Sequence, residues 1–193
     1  MAPQSAHRNL QSNSRYNVGV SLTIREFQPA DFDTLWRIDQ TCFPSGISYS
    51  RAELRLYMRR RGAFTLVAVN GADGRSTGSV SGNSRNKEDL SSEATDRTIA
   101  GFLVAEAGAR ARGHVITIDV VANARRLGVG SLLLRAAEDR LISAGCRIVE
   151  LETAVDNLSA LSFYKRHGYS VTRTFPRYYS NGMDALALEK VLI

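Results

Sequence analysis

Arg125-Arg126-Leu127-Gly128-Val129-Gly130 follows the apolar run Val115 to Val121 and opens a helical stretch from Ser131 to Ala144. A strand, a tight glycine turn and a helix start in that order build an anion site suited to a pyrophosphate. Gly128 and Gly130 let the backbone approach a charged group with no Cβ in the way, and the unpaired N–H groups of the first helical turn point at it. The two arginines offer charge-assisted bonds to the same group. Taken alone, so short a motif also fits a helix start carrying a solvated arginine pair. The rest of the chain decides between the two.

Working outward, Leu22 to Phe27 alternates like a first strand, and Pro29-Ala30-Asp31 begins a helix with Leu35, Ile38, Cys42 and Phe43 at helical spacing. Phe43-Pro44-Ser45-Gly46 breaks it. Ser50 and Glu53 form a capping box for a second helix, Arg51 to Arg61. Strands follow over Phe64 to Val69, Ile99 to Ala107 and His114 to Val121. After the helix that Gly145 stops come a strand Arg147 to Thr153, a helix Asn157 to His167, and strands Tyr169 to Thr174 and Met183 to Leu192. This order predicts an α/β (α+β) fold: a mixed, twisted sheet of about seven strands with helices on both faces.

A chain of 193 residues with 44% hydrophobic content supports one substantial core, assigned to 21–193. Residues 1–20 hold no acidic side chain and no readable amphipathic helix, and are expected to form a disordered tail. Residues 70–98, rich in Gly, Ser, Asn, Asp and Arg, are expected to form a mobile insertion loop without chemistry of its own. The net charge of +6 comes from scattered residues without interleaved aromatic platforms, which argues against nucleic acid. Arg59-Arg60-Arg61 reads as a solvated helix end. Two cysteines outside any CxxC pair and three scattered histidines give no zinc set and suggest a reducing, cytoplasmic setting. No apolar run approaches the ~20 residues of a membrane helix. A metal-free, membrane-independent monomer or weak homodimer is the expectation.

The segment Glu152 to Tyr169 has the form E-x4-N-x2-A-x3-Y-x3-G-Y. With the arginine and glycine turn upstream, it resembles the GNAT family of acetyl-CoA-dependent N-acetyltransferases, over roughly Leu22 to Ile193. The resemblance implies the GNAT fold, with strands four and five splayed around acetyl-CoA. It assigns Ile118, Asp119 and Val120 to pantetheine contacts through main-chain groups, with the Val120 N–H as an oxyanion donor. It further assigns Arg125, Arg126, Leu127, Gly128, Val129, Gly130 and Ser131 to the pyrophosphate loop. Asn157 is matched to a pantetheine contact, although asparagine there also serves as a helix N-cap.

Acetyl transfer from a thioester to an amine needs a base for the amine and an acid for the leaving thiolate. Tyr164, two helical turns after Asn157 and on the same side, matches the family's general acid; a packed core tyrosine is the alternative. Glu152 sits where bacterial ribosomal-protein alanine N-acetyltransferases carry their base. Glu150 shares its strand face, and two carboxylates on one face of an interior strand give a setting suited to a base near neutrality; Glu150 itself reads as a solvated strand-end residue. His114 occupies a position where some eukaryotic N-terminal acetyltransferases carry a catalytic tyrosine, and can assist Glu152.

Tyr178-Tyr179-Ser180-Asn181-Gly182-Met183-Asp184-Ala185 looks like the Y-Y-x2-G-x-D-A loop of N-terminal peptide acetyltransferases. A tyrosine pair can clamp an extended peptide, or simply plug a surface hairpin. By the same resemblance Phe43 and Pro44 form the opposing wall. The implied substrate is therefore the N-terminal α-amino group of a protein or peptide, attacked directly in a ternary complex with acetyl-CoA. A small amine, a lysine side chain or a non-catalytic acetyl-CoA-binding module are the rival readings. Ala124 and Arg125 depart from the aromatic and the glutamine often found beside the basic pair, so the rim of the cofactor site is expected to differ.

Overall fold

The computed structural model describes residues 21–71 and 98–192. The tail over 1–20 and the part of the insertion over 72–97 lie outside the described residues. Seven strands and four helices follow one another as β1 (Ser21–Glu26), α1 (Phe32–Cys42), α2 (Arg51–Met58), β2 (Ala63–Gly71), β3 (Ile99–Ala107), β4 (Arg112–Val120), α3 (Val129–Ser143), β5 (Ile148–Ala154), α4 (Leu158–Arg166), β6 (Ser170–Phe175) and β7 (Ala185–Val191). They form one sheet in the order β1-β2-β3-β4-β5-β7-β6. Neighbours are antiparallel except β4 and β5, which run parallel.

The sheet is covered on both sides because its central strands are apolar on both faces. Along β2, Phe64, Leu66 and Ala68 face a core built with Leu133, Leu134, Ala137 and Leu141 of α3. Val67 and Val69 alternate to the other face, under Leu35, Ile38 and Leu54 of the first two helices. α3 sits close on β4: a Cβ at Gly113 would come within 2.7 Å of the Leu141 methyls. β1 and β6 are the edge strands, and β6 is exposed along nearly its whole length and bulged between Val171 and Arg173, features that discourage pairing with another sheet.

Several boundaries differ from the sequence reading. Asn70 and Gly71, placed in the insertion, extend β2 by pairing with Leu22 and Ser21. Pro29–Asp31 is a separate 3-10 turn ahead of α1. α2 ends at Met58, so the arginine run falls in the following turn rather than in the helix. α3 starts at Val129 and not Ser131, because Gly128 already supplies its N-cap. The Ser50 and Glu53 capping box forms in full, with Glu53 N–H donating to Ser50 Oγ at 3.2 Å and Ser50 N–H to Glu53 Oε2 at 2.8 Å. Among the described residues no helix is long and apolar enough to cross a membrane.

Candidate active site

β4 and β5 pair only through Arg112 with Ile148, Gly113 with Val149 and His114 with Glu150. Beyond that point β4 keeps β3 as its partner and has no β5 partner, which opens a gap in the middle of the sheet. A bulge in β4 marks the same place: Thr117 lies opposite Val104 and Val115 opposite Ala105, leaving Ile116 extra. The Ile116 carbonyl accepts a bond from the Tyr49 hydroxyl at 3.2 Å. Ile118, Asp119 and Val120 therefore run along the gap, where a main chain without a second strand can pair with a ligand. Ile118 and Val120 pack toward the core under α3 and α4. The Asp119 side chain is buried, its Oδ2 accepting from Thr117 Oγ1 at 2.8 Å.

The loop that enters α3 has the geometry expected of an anion cradle. Arg126 (φ 65°) and Gly128 (φ 86°) both take left-handed conformations, and Gly128 is the helix N-cap. A Cβ at Gly128 would meet nothing within 4 Å, so open space lies above the loop. The chain thus fits a phosphate group through the N–H groups of Val129, Gly130 and Ser131. Val129 itself is buried, so only its backbone is available, whereas Leu127 is exposed. Arg125 departs from the simple reading. Its Nε donates to the Val120 carbonyl at 3.0 Å, and Nη2 lies 3.6 Å from Cys42 Sγ, which ties this arginine back to the strand beside the gap. Arg126 stays on the exposed rim.

His114 and Glu152 meet across the mouth of the gap: Nε2 and Oε2 are 2.7 Å apart, and each side chain is largely covered. Burial pulls the imidazole pKa down, but the bond to Glu152 and the charges of Glu152, Glu106 and Glu150 outweigh it and hold it above the ordinary histidine value. Glu150, on the same strand face as Glu152, is not merely solvated. Arg112 clamps it at 2.6 Å and Glu189 at 2.7 Å, closing the bottom of β4, β5 and β7.

On the other side of the gap, α4 carries Asn157 and Tyr164. Asn157 caps the helix, Oδ1 accepting from Ala160 N–H at 3.1 Å and from Ser159 Oγ at 2.9 Å, which leaves its amide NH2 to point elsewhere. Tyr164 is 5% exposed. Burial, reinforced by Asp119 and Tyr179, pushes its phenol well above the usual tyrosine pKa, so it keeps its proton throughout the physiological range. Phe163 is partly buried against the apolar core, and its ring lies under Gly130.

The turn after α1 and the loop before β7 touch. Ser180 Oγ donates to the Gly46 carbonyl at 3.1 Å, and a Cβ at Gly46 would strike Asn181 Cβ at 2.9 Å. This brings the turn containing Phe43 and Pro44 against the loop containing Tyr178 and Tyr179. The two tyrosine rings meet edge to face at 5.1 Å, and Tyr178 also stacks on Phe175 at 5.7 Å. Tyr178 is half exposed and Tyr179 more covered; burial and the nearby Glu152 carboxylate raise both phenols. Sequence reading missed Tyr49, Tyr57 and Glu106. Tyr49 and Tyr57 pair at 4.9 Å beside the same loop, and Glu106 faces His114 from β3. Only the Tyr49 to Tyr57 spacing around the capping box hinted at this; the placement of Glu106 depends on strand register.

A family model for the acetyltransferase (GNAT) family matches residues 32–169. The chain is 38% identical over 79 residues to an uncharacterised N-acetyltransferase of Methanocaldococcus jannaschii, covering 40% of this chain and 51% of that protein. It is 37% identical over 78 residues to N-alpha-acetyltransferase 30 of Schizosaccharomyces pombe, covering 40% of this chain and 52% of that one. In each case the match spans about half the length of the relative. The crystal structure of Ard1 from Thermoplasma volcanium superposes with a TM-score of 0.68 at 26% identity, over 89% of this chain and 98% of that one. The sheet opened between β4 and β5, the glycine-capped α3 and a family match over most of the chain agree: this protein belongs to the GNAT family of acetyltransferases.

Proposed function

We propose that this protein transfers acetyl from acetyl-CoA to the N-terminal α-amino group of a protein or peptide, by direct attack in a ternary complex in the cytoplasm. The observation that carries the reading is the His114 and Glu152 pair, 2.7 Å apart at the open end of the β4–β5 gap, with Tyr164 on the opposite side. Acetyl-CoA supplies the activated acyl group as a thioester. The α3 loop would hold its pyrophosphate, and the main chain of Ile118 to Val120 its pantetheine arm, with the Val120 N–H aimed at developing negative charge. Asn157 would offer its amide to the same arm.

An α-amino group has a reference pKa of ~7.7–8.0, so the base has only part of the population to deprotonate. Glu152 takes that proton, directly or through water, and His114 shares it across their bond. Tyr164 donates to the departing sulfur. The burial that raises its phenol also raises the proton affinity of a thiolate formed in the same place, so donor and acceptor remain matched. Tyr178 and Tyr179 would clamp the first residues of the peptide, with Phe43 and Pro44 opposite.

A polyamine is the weaker alternative because the acids around the pocket are already countered, Glu150 by Arg112 and Glu106 by Arg60 at 3.5 Å. The name of the N-alpha-acetyltransferase relative points the same way. The deciding experiment offers purified protein and acetyl-CoA a panel of peptides varied in their first two residues, with N-terminally blocked lysine peptides and free polyamines as controls. Acetylation of free N-termini is expected. Turnover confined to polyamines or blocked lysine peptides would overturn the reading.

A further inference from the structure

Glu106 lies at the end of β3, directly opposite His114 in the β3–β4 register. Its Oε1 stands 4.0 Å from His114 Nδ1, on the side of the ring away from Glu152. The same Oε1 is 3.5 Å from Arg60 Nη1, in the turn after α2. His114 is thus sandwiched between two carboxylates, one at each ring nitrogen. None of the residues assigned to the reaction accounts for the second one.

We propose that Glu106, itself steadied by Arg60, is a positioning residue for His114, favouring the imidazolium, whose Nε2–H meets Glu152 and whose Nδ1–H faces Glu106. A neutral imidazole has one N–H and one lone pair. The 2.7 Å contact with the Glu152 carboxylate puts that hydrogen on Nε2, so the lone pair of the neutral ring lies on Nδ1 and is repelled by Glu106. A proton added at Nδ1 turns that repulsion into attraction. The imidazolium so formed has a counter-charge at each nitrogen, Glu152 at Nε2 and Glu106 at Nδ1. At 4.0 Å the contact is longer than a hydrogen bond, so Glu106 acts here as a charge.

The charged groups around His114 are Glu106 from β3 and Glu150 and Glu152 from β5, with Arg112 on its own strand, Arg60 behind Glu106, and the Tyr178 phenol beside Glu152 and Arg60. Arg112 is spent on Glu150 and Glu189, which leaves Glu106 and Glu152 as the carboxylates that meet the ring. The raised imidazole pKa agrees with this count.

The inference rests on the base role given to His114 and Glu152, and two readouts keep the claims apart. The first is an NMR titration of the His114 ring, assigned with His114→Ala, in wild type, Glu106→Gln, Glu106→Asp and Arg60→Ala. Glu106→Gln is isosteric and should lower the midpoint by about one pH unit, Glu106→Asp should restore most of it, and Arg60→Ala should raise it. The second is the pH profile of kcat with a peptide substrate, whose acidic limb should move by the same amounts in the same directions. An unchanged midpoint in Glu106→Gln overturns the proposal. A midpoint that moves while the pH–rate profile stays put supports Glu106 as the partner of His114 and overturns the base role of the pair instead.

Discussion

At the residue scale the proposed site sets the His114 and Glu152 pair and Tyr164 on opposite sides of one gap, each group shaped by its surroundings. Tyr164 lies deep enough to stay protonated, and removing only its hydroxyl leaves the ring to pack. Tyr164→Phe should lower kcat about 10²- to 10⁴-fold with little change in the KM for acetyl-CoA. Steady-state kinetics at saturating peptide reads this, and an unchanged kcat would return Tyr164 to the core. Glu152→Gln should also lower kcat, but its loss should shrink as pH rises and more amine is free in solution. His114 sharpens that contrast. Its raised pKa means that the pair is fully deprotonated only above the ordinary histidine range, so the wild-type acidic limb should sit above that range too. Measurement of kcat from about pH 6 to 9 tests both statements. Equal losses at every pH would mean that Glu152 acts through structure and not as a base.

At the element scale, the turn into α3 and the β6–β7 loop do separate jobs. Gly130 lies inside the first turn of α3 at an ordinary φ, and an added Cβ would rest on the Phe163 ring at 3.4 Å. Gly130→Asp therefore places a carboxylate at the helix N-terminus with little backbone strain. Acetyl-CoA affinity should fall at least about 100-fold while the circular dichroism spectrum is unchanged, since the same helix end cannot serve two anions. Gly128 is a poorer probe, because its φ of 86° makes any side chain cost roughly 1–2 kcal/mol in stability as well. In the loop, Tyr178 is half exposed, whereas Tyr179 holds the turn through its N–H to the Met183 carbonyl at 3.1 Å and its carbonyl to Gly182 N–H at 2.8 Å. Tyr178→Ala should thus raise the KM for peptide several-fold and leave that for acetyl-CoA alone. A matching rise for both substrates would make the loop a structural plug.

At the scale of the whole molecule, the fold carries two buried carboxylates that cost stability. Asp39 and Asp119 are fully covered, and each has one oxygen without a partner. Burial pushes Asp39 up to about 6 against its bonds from Tyr49 N–H and Gln40, and pushes Asp119 up to about 8 against its bond from Thr117. The folded chain therefore holds protons that the unfolded chain has released, and stability should fall as pH rises from about 4 to about 8. Asp119→Asn, which stays neutral, should raise Tm relative to wild type at pH 9 and have little effect near pH 3.5, below the unfolded carboxylate range, at about 2–4 °C per kcal/mol recovered. A pH-independent difference in scanning calorimetry would refute the assignment. The spacing of residues along the chain was enough to reveal the element order, the Ser50 and Glu53 cap, the glycine turn and the matched run from Glu152 to Tyr169, because each depends on neighbours a few positions apart. The exit of α3 from Gly128, the Arg125 bond back to Val120, the Arg112 clamp on Glu150 and the meeting of Glu106, His114 and Glu152 were not legible there. The first two depend on loop conformation; the others join strands whose register is set by burial of both sheet faces, and only the packed sheet brings Arg112 to Glu150 and His114 to Glu152, each 38 positions apart, within bonding distance.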